Sequence, residues 1–477
     1  MTIRSKHLLW AAIGAYASGF CALSILRHHS FNTGRFDLGN MTQAVWATAH
    51  GHPLAVTNLE GDQVSRLGSH VDPILVAFVP LWWIWPSPSM LLAAQAIAVA
   101  IGALPVFWLA RKHLGSERAG LGFALAYLLY PAVQWLTLAQ FHPVALACPL
   151  LLFAFWYLDE DRLIPFAVFA GLAALTKEEI PLVIAAMGIW YALSRKRYRI
   201  GGAIAVLGAV ATAISVKLVL PHYNEGASSS FYRRYGALGD SPGEILGTVF
   251  TDPGRLVDVA FDSEGLHYLA DLLLPLVLLF AAAPLVLIAA IPELGLNLLS
   301  ATHTQSSIHH HYTAALIPPL MAATVLGAGR LARGEQRRAI VLAGIAVAAA
   351  LVANFRLGAI PLWRSLPGGS SYQAHMSHVS AHDRIAERAL LLIPNSAVVS
   401  ATNSLGSHLS ARRRFLSFPQ VQGAEWIAAD ETQPGYADRW DPLATATDLA
   451  RLRRSPDWRL VFSEDGVLVF RRKSSST

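Results

Sequence analysis

The chain has 477 residues, 54% of them hydrophobic and only 14% charged, against ~25% charged in an ordinary soluble domain. This excludes a typical soluble protein and places the chain among polytopic membrane proteins. The net charge of +6 does not indicate a nucleic-acid partner, because Arg and Lys stand in short clusters between apolar runs, as cytoplasmic loops do.

Arg4 and Lys6 precede an apolar run from Leu8 to Leu26. The Ala15-Tyr16-Ala17 stretch is loosely like a signal-peptide cleavage site, but the run continues past it and reads better as a retained first span. Apolar runs near the ~20 residues that cross a bilayer recur about eleven times, at roughly 7–27, 89–110, 119–138, 143–158, 163–177, 180–194, 200–220, 269–284, 286–301, 312–330 and 339–360. The pair between 269 and 301 also reads as one long helix with a re-entrant piece. Cys21 and Cys148 lie inside apolar runs and read as packing residues.

With the N-terminus inside, the basic loops at 111–118, 159–162, 195–199 and 331–338 fall on the cytoplasmic side. The segments 28–88, QFHP near 140, 221–268 and 303–312, and the C-terminal region, then share the outer side. In 28–88, VDPILVAFVPLWWIWP is apolar, short and Pro-bounded, with Trp82, Trp83 and Trp85 suited to the headgroup layer. It reads as interfacial helices, with a short span as the alternative. Beyond 360 the sequence becomes polar. AHDRIAERALLLI has a helical period, NSAVVSAT reads as a strand, and DWRLVF and GVLVFRRK, joined through SEDG, read as a hairpin. The expected fold is mainly α: a transmembrane part over 1–360, then a small extracytoplasmic α/β domain over 361–477 ending in a frayed RRKSSST tail. No glycine-rich nucleotide fingerprint occurs in that domain.

The polar residues of the outer side are the candidates for chemistry. Asp37, in GRFDLGNMTQAVW, is either a helix cap or a partly desolvated general base. SHVDP supplies His70 and Asp72, and QFHP supplies His142. In TKEEI, Lys177, Glu178 and Glu179 interrupt apolar sequence, which is costly unless they face a cavity or a partner. A self-paired Lys–Glu turn is the plainer reading. Arg233 and Arg234 stand beside Tyr232 and Tyr235; Arg suits bidentate phosphate contact. SIHHHY places His309, His310, His311 and Tyr312 before a span, where one imidazole facing a cavity is more plausible than a metal cluster.

The ordered series FDLGNMTQAVW, GSHVDPILV, LLYPAVQ, FHPVALACPLLL, TKEEIPL, RYGALGDSPGEIL, ELGLNLLS and SIHHHY, over about 36–330, resembles a prokaryotic family of integral membrane proteins of unknown function. That family is placed in the GT-C glycosyltransferase-like group. Thr42 stands where the family is expected to carry an aspartate, and Asp72 where it carries a small polar residue.

The resemblance implies a multi-span body in the prokaryotic cytoplasmic membrane. It also implies a first outer loop bearing a catalytic carboxylate, here Asp37, and a polyprenyl-phosphate-linked sugar as donor. The acceptor is expected to be a glycan, lipid or protein, and the transfer inverting. Lys177, Glu178, Arg234, Tyr235, His142, His309, Tyr312 and Gln43 are the expected substrate contacts. Some GT-C enzymes use Mg²⁺ or Mn²⁺, for which Asp37, Glu178 and His70 would be the ligands. A lipid or solute transporter, or a non-catalytic GT-C-like scaffold, is the rival class. The broken-helix repeats of a transporter are not evident.

Overall fold

A computed structural model describes residues 2–225, 230–439 and 442–473. The chain forms a bundle of apolar helices with a sheet domain at one end. Ile3–His29, Pro88–Leu114, Tyr198–Tyr223 and Gln336–Leu357 are each long and apolar enough to cross a membrane. Glu117–Leu129 and Pro131–Leu138 make a further span bent by 50°. The break comes at Tyr130, whose extended backbone is what a residue before proline prefers. Pro143–Asp159, Leu163–Ala174, Ile180–Arg195, Pro284–Leu298 and Ile317–Ala332 are shorter apolar helices.

Burial separates the central helices from the peripheral ones. Pro88–Leu114 is largely enclosed, whereas Tyr198–Tyr223 leaves Val206, Leu207, Val210 and Leu218 exposed. Such an apolar outer face fits lipid as solvent. The expected span 269–284 does not form. Ser263–Leu273 ends at Pro275, and Val277 and Leu278 take positive φ between short 3₁₀ turns. Two adjacent non-glycine residues in the left-handed region cannot continue a helix.

One end of the bundle gathers the basic loops. Lys112 Nζ and Arg195 Nη2 both reach Asp159, at 2.7 and 2.8 Å, and His113 Nε2 joins them at 2.8 Å. The Thr2 N–H donates to Glu117 at the same end (2.9 Å). These contacts bring together the loops expected to share one side.

The opposite end carries the segment 28–88. It holds a π-helical turn, Arg35–Gly39, running into helix Asn40–Ala49. It also holds a short hairpin that the expectation of interfacial helices did not include, β1 (Ala55–Thr57) against β2 (Gln63–Ser65). The stretch expected to be interfacial is helical, as Pro73–Phe78 followed by Val79–Ile84, with Trp83 and Ile84 exposed. The segment 221–268, expected on the outer side, is mainly helical, at Pro242–Thr251, Pro253–Ala260 and Ser263–Leu273; residues 226–229 lie outside the described residues.

The C-terminal unit contains a five-stranded mixed sheet in the order β4-β3-β5-β7-β6. Its strands are β3 (Val399–Ala401), β4 (Phe415–Ser417), β5 (Trp426–Asp430), β6 (Trp458–Glu464) and β7 (Val467–Arg472). β3 and the β6–β7 hairpin fall where strands are expected, and Ala381–Leu390 is the expected amphipathic helix. Arg471 and Arg472 of the supposed tail pair with β6 instead; residues 474–477 lie outside the described residues.

Candidate active site

Asp37 sits in the π-helical turn, where the Gly39 N–H reaches back to the Gly34 carbonyl. Widened turns of this kind frequently mark functional sites. The carboxylate does not cap the following helix, so the plain reading as a cap fails. Gln140 Nε2 donates to Asp37 Oδ2 (3.1 Å), while its Oε1 accepts from the Gly34 N–H (2.8 Å). Gln140 therefore grips the turn on both sides. The QFHP stretch is itself pinned: Gln95 Nε2 donates to the Gln140 carbonyl (2.6 Å), and Gln95 Oε1 accepts from the His142 N–H (2.9 Å).

His142 Nε2 lies 3.4 Å from Asp37 Oδ1. Its Nδ1 faces the Ala139 carbonyl at 2.8 Å and so carries a proton there. Tyr436, from the C-terminal unit, donates its hydroxyl to Asp37. Burial alone would push the Asp37 carboxyl up, but His142, Tyr436 and nearby His310 outweigh it and hold the group below the usual carboxylate range. Burial and Asp37 together push the Tyr436 phenol above its ordinary value. Burial lowers His310 to about 4, so its ring is neutral at physiological pH.

A cationic half lies across Tyr312. Lys177 Nζ stands 5.7 Å from the Tyr312 ring centroid and the Arg234 guanidinium 5.9 Å from it. Arg234 Nη1 also approaches the Tyr312 hydroxyl (3.4 Å) and Gln305 Oε1 (3.5 Å). Gln305 Nε2 donates to the Tyr235 hydroxyl (3.3 Å). Lys177 pairs with Glu179 at 2.6 Å. Burial works against the Lys177 ammonium, but Glu179, Glu178 and Glu293 hold its pKa above the ordinary value. The two halves meet through stacked rings: His311 lies on His142 with centroids 3.8 Å apart, and next to Tyr312 at 4.1 Å. Tyr312 is also within electrostatic range of Tyr436.

The expected residues divide accordingly. Asp37 and His142 form one half, and Lys177, Arg234, Tyr235 and Tyr312 the other. Gln43 does not belong to either half. It is 1% exposed, and its amide donates to Thr57 Oγ1 and to the Arg412 and Arg413 carbonyls, while its oxygen accepts from the Thr57 N–H. It ties the segment 28–88 to the C-terminal unit. His309 packs between Trp135 and Tyr372, with centroids 5.1 and 3.9 Å away, and its neighbours His310 and His311 are the ones that approach Asp37 and His142. Glu178 accepts from His70 Nδ1 (2.8 Å) and the Val71 N–H (3.0 Å), clamping SHVDP to the turn after Leu175. These contacts outweigh burial and hold its pKa low.

Of the expected cation ligands, Glu178 and His70 meet, but Asp37 stands with Gln140 and His142 instead. Among the described residues no three His, Cys, Asp or Glu side chains group as a metal site. Asp72 is 2% exposed and bonded to Arg66 at 2.6 and 2.8 Å. Thr42 is fully buried.

Sequence reasoning missed Tyr436, Gln140, Gln305 and Glu293. Glu293 could have been found by the argument applied to TKEEI, since it too is a carboxylate in apolar sequence. It is 4% exposed and close enough to Lys177 to act on its charge.

The fold is a bundle of apolar helices with a sheet domain docked beside a carboxylate and a cationic cluster. The chain belongs to the family described as predicted membrane protein (DUF2079), which matches residues 27–469, a wider stretch than the motifs alone span. Its fold is similar to that of ArnT from Cupriavidus metallidurans, a crystal structure bound to undecaprenyl phosphate. The two share 13% identity over 98% of each chain, with a TM-score of 0.57. No curated protein matches the sequence.

Proposed function

We propose that the protein is a membrane glycosyltransferase that takes a sugar from a polyprenyl-phosphate donor and transfers it to an envelope acceptor. The observation that carries this reading is the pairing of Lys177 and Arg234 around Tyr312, linked through His311 and His142 to Asp37. The similarity in fold to a protein that binds undecaprenyl phosphate supports it.

In this reading the acceptor hydroxyl attacks the anomeric carbon as the bond from that carbon to the phosphate oxygen breaks. Asp37 takes the hydroxyl proton. The polyprenyl phosphate leaves with the electron pair, and Lys177 and Arg234 meet its growing negative charge, as fixed cations do best in a site that excludes water. Single displacement inverts the anomeric centre. Residues 1–360 form the membrane unit and 361–477 the soluble unit, both site halves lie at the outer face, and the N-terminus is inside. The gathering of the basic loops at the opposite end supports this orientation.

The test is transfer by the purified protein in nanodiscs, using a panel of radiolabelled polyprenyl-phosphate sugars and envelope extract as acceptor. Asp37→Asn should cut turnover by ~10²–10⁴-fold, the range of a lost general base, without changing undecaprenyl phosphate binding more than ~3-fold. Wild-type protein that neither transfers sugar nor binds the lipid phosphate would sink the reading. Lipid binding without transfer would favour the scaffold or transporter class.

A further inference from the structure

The C-terminal unit packs directly on the turn that carries Asp37. Ser407 Oγ lies 2.9 Å from Thr33 Oγ1, and Asn403 Oδ1 accepts from the Phe36 N–H at 3.3 Å. The approach is close enough to demand glycine on both partners. A Cβ on Gly34 would stand 2.8 Å from Asn403 Nδ2 and 2.9 Å from Tyr436 Cε1. A Cβ on Gly406 would stand 2.7 Å from Arg35 Cβ.

The loop after β5 that presents Tyr436 is held in shape by its own carboxylates. Asp430 Oδ1 accepts from the Thr432 and Gln433 N–H groups (2.9 Å each). Asp438 accepts from the Gly435 N–H (2.8 Å) and the Asn403 N–H (2.8 and 3.0 Å). One residue, Asn403, thus joins the loop to the backbone beside Asp37. Tyr436 itself is 45% exposed, so core burial does not account for its position. Its ring nonetheless lies against Gly34 of the Asp37 turn, which brings its hydroxyl to Asp37.

Building on the transferase reading, we propose that Tyr436 is a positioning residue of the Asp37 site, supplied by the C-terminal unit. Its hydroxyl, with Gln140, fixes the direction in which the carboxylate meets the acceptor. Asp37 Oδ2 already accepts from Gln140 on the membrane side. A second donor from the C-terminal side stops the carboxyl group from turning about its Cβ–Cγ bond. The acceptor side of the site is therefore incomplete without the C-terminal unit. The membrane unit alone supplies Lys177, Arg234 and Tyr312 for the lipid phosphate.

The experiment uses the full chain in nanodiscs with ring-¹³Cζ-labelled tyrosine. The Tyr436 resonance is assigned by its loss in Tyr436→Phe. It should shift in Asp37→Asn, because a phenol donating to a carboxylate differs from one donating to an amide. In the transfer assay, Tyr436→Phe should lower kcat by about 10-fold to 100-fold, the scale of a hydrogen bond to a charged group. The KM for the donor and the melting temperature should stay at their wild-type values. The double variant should be no slower than Asp37→Asn alone, since Tyr436 acts through Asp37. A Tyr436 resonance that ignores Asp37→Asn, or a Tyr436→Phe enzyme with wild-type kcat, overturns the proposal. Wild-type protein without transfer from any donor overturns the transferase reading instead, and the resonance then decides alone whether Tyr436 belongs to the Asp37 site.

Discussion

The Arg66–Asp72 pair invites a quantitative test, because the two partners should fail differently when left alone. Arg66 is 4% exposed and Asp72 2% exposed, and the pair shares one carboxylate oxygen. The second oxygen, Asp72 Oδ1, is buried without a hydrogen-bond partner. Burial pushes the Asp72 carboxyl above its usual value despite the guanidinium beside it. Removing either partner at pH 7 should cost ~3–5 kcal/mol, the price of a stranded buried charge. The two variants part company as the pH falls. In Arg66→Met the stranded carboxyl can take up a proton. From an ordinary aspartate pKa of ~3.9, that costs ~1.4 kcal/mol per pH unit, or ~4 kcal/mol at pH 7 and ~1.5 kcal/mol at pH 5. Its folded-state pKa is raised, so the variant gains stability as pH falls toward the unfolded value. In Asp72→Asn the stranded guanidinium has no such escape, since arginine does not give up its proton in proteins. Unfolding of nanodisc-embedded protein, followed by tryptophan fluorescence at pH 7 and pH 5, should show Arg66→Met recovering ~2–3 kcal/mol on the way down, relative to wild type. Asp72→Asn should recover nothing. Equal behaviour of the two variants across that range would refute the reasoning.

Arg234→Gln should weaken binding of undecaprenyl phosphate about 10-fold, one charge-assisted contact, with an unchanged melting temperature; titration with the lipid in nanodiscs checks it. His382 bridges Asp430 and Asp465 at 2.9 Å each, and although burial lowers its pKa the two carboxylates outweigh that and raise it. Its stabilising contribution should therefore be full below ~6.5 and be lost as pH rises through the raised value. Hydrogen exchange of β5 and β7 across that window should show the loss in wild type and not in His382→Gln. Gly208 lies against Ala185 and the Pro181 carbonyl, where a Cβ would meet the carbonyl oxygen at 2.4 Å. Gly208→Leu should separate helices Ile180–Arg195 and Tyr198–Ile214 and lower the melting temperature clearly, while Gly202→Leu, on an open face, should not.

Most apolar runs were legible as helices, because hydropathy shows in a single sequence. Among the described residues, however, only four helices, or five with the bent pair, have the length to cross a membrane, against the about eleven spans expected. Where the expectation fails, at 269–284, the apolar run is real, but Pro275 and the turn at Val277–Leu278 break it. Hydropathy does not report backbone angles. The site was legible in part for the same reason: Lys177, Glu178 and Asp37 stand out because charge beside or within apolar sequence is costly. Their partners were not. The sequence offers Lys177 two neighbouring glutamates, and only the fold assigns Glu179 to it and Glu178 to His70. In SIHHHY the backbone is extended at His310 and turns at His311, so helical spacing could not say which ring faces Asp37. Gln43 lies in the most distinctive motif, yet its amide is taken up by contacts to the C-terminal unit, which the sequence does not display. Tyr436 carries no local signal, since its role exists only once the C-terminal unit docks.

A carboxylate that accepts from Gln140 and Tyr436 and faces His142 is held ionised, and for the same reason is a weak base. A strong base would matter if the acceptor hydroxyl had to be deprotonated before attack. In the proposed transfer it matters less, because departure of the lipid phosphate makes the anomeric carbon electrophilic before much proton transfer has occurred. The burden then falls on the cationic half, where Lys177 stays protonated because Glu179, Glu178 and Glu293 surround it. The acidic residues around Lys177 fit this division of labour. They secure its charge in a buried setting, and Arg234 supplies a second cation at the same ring. Asp37 then needs correct placement more than high basicity, and the structure surrounds it with groups that fix its placement.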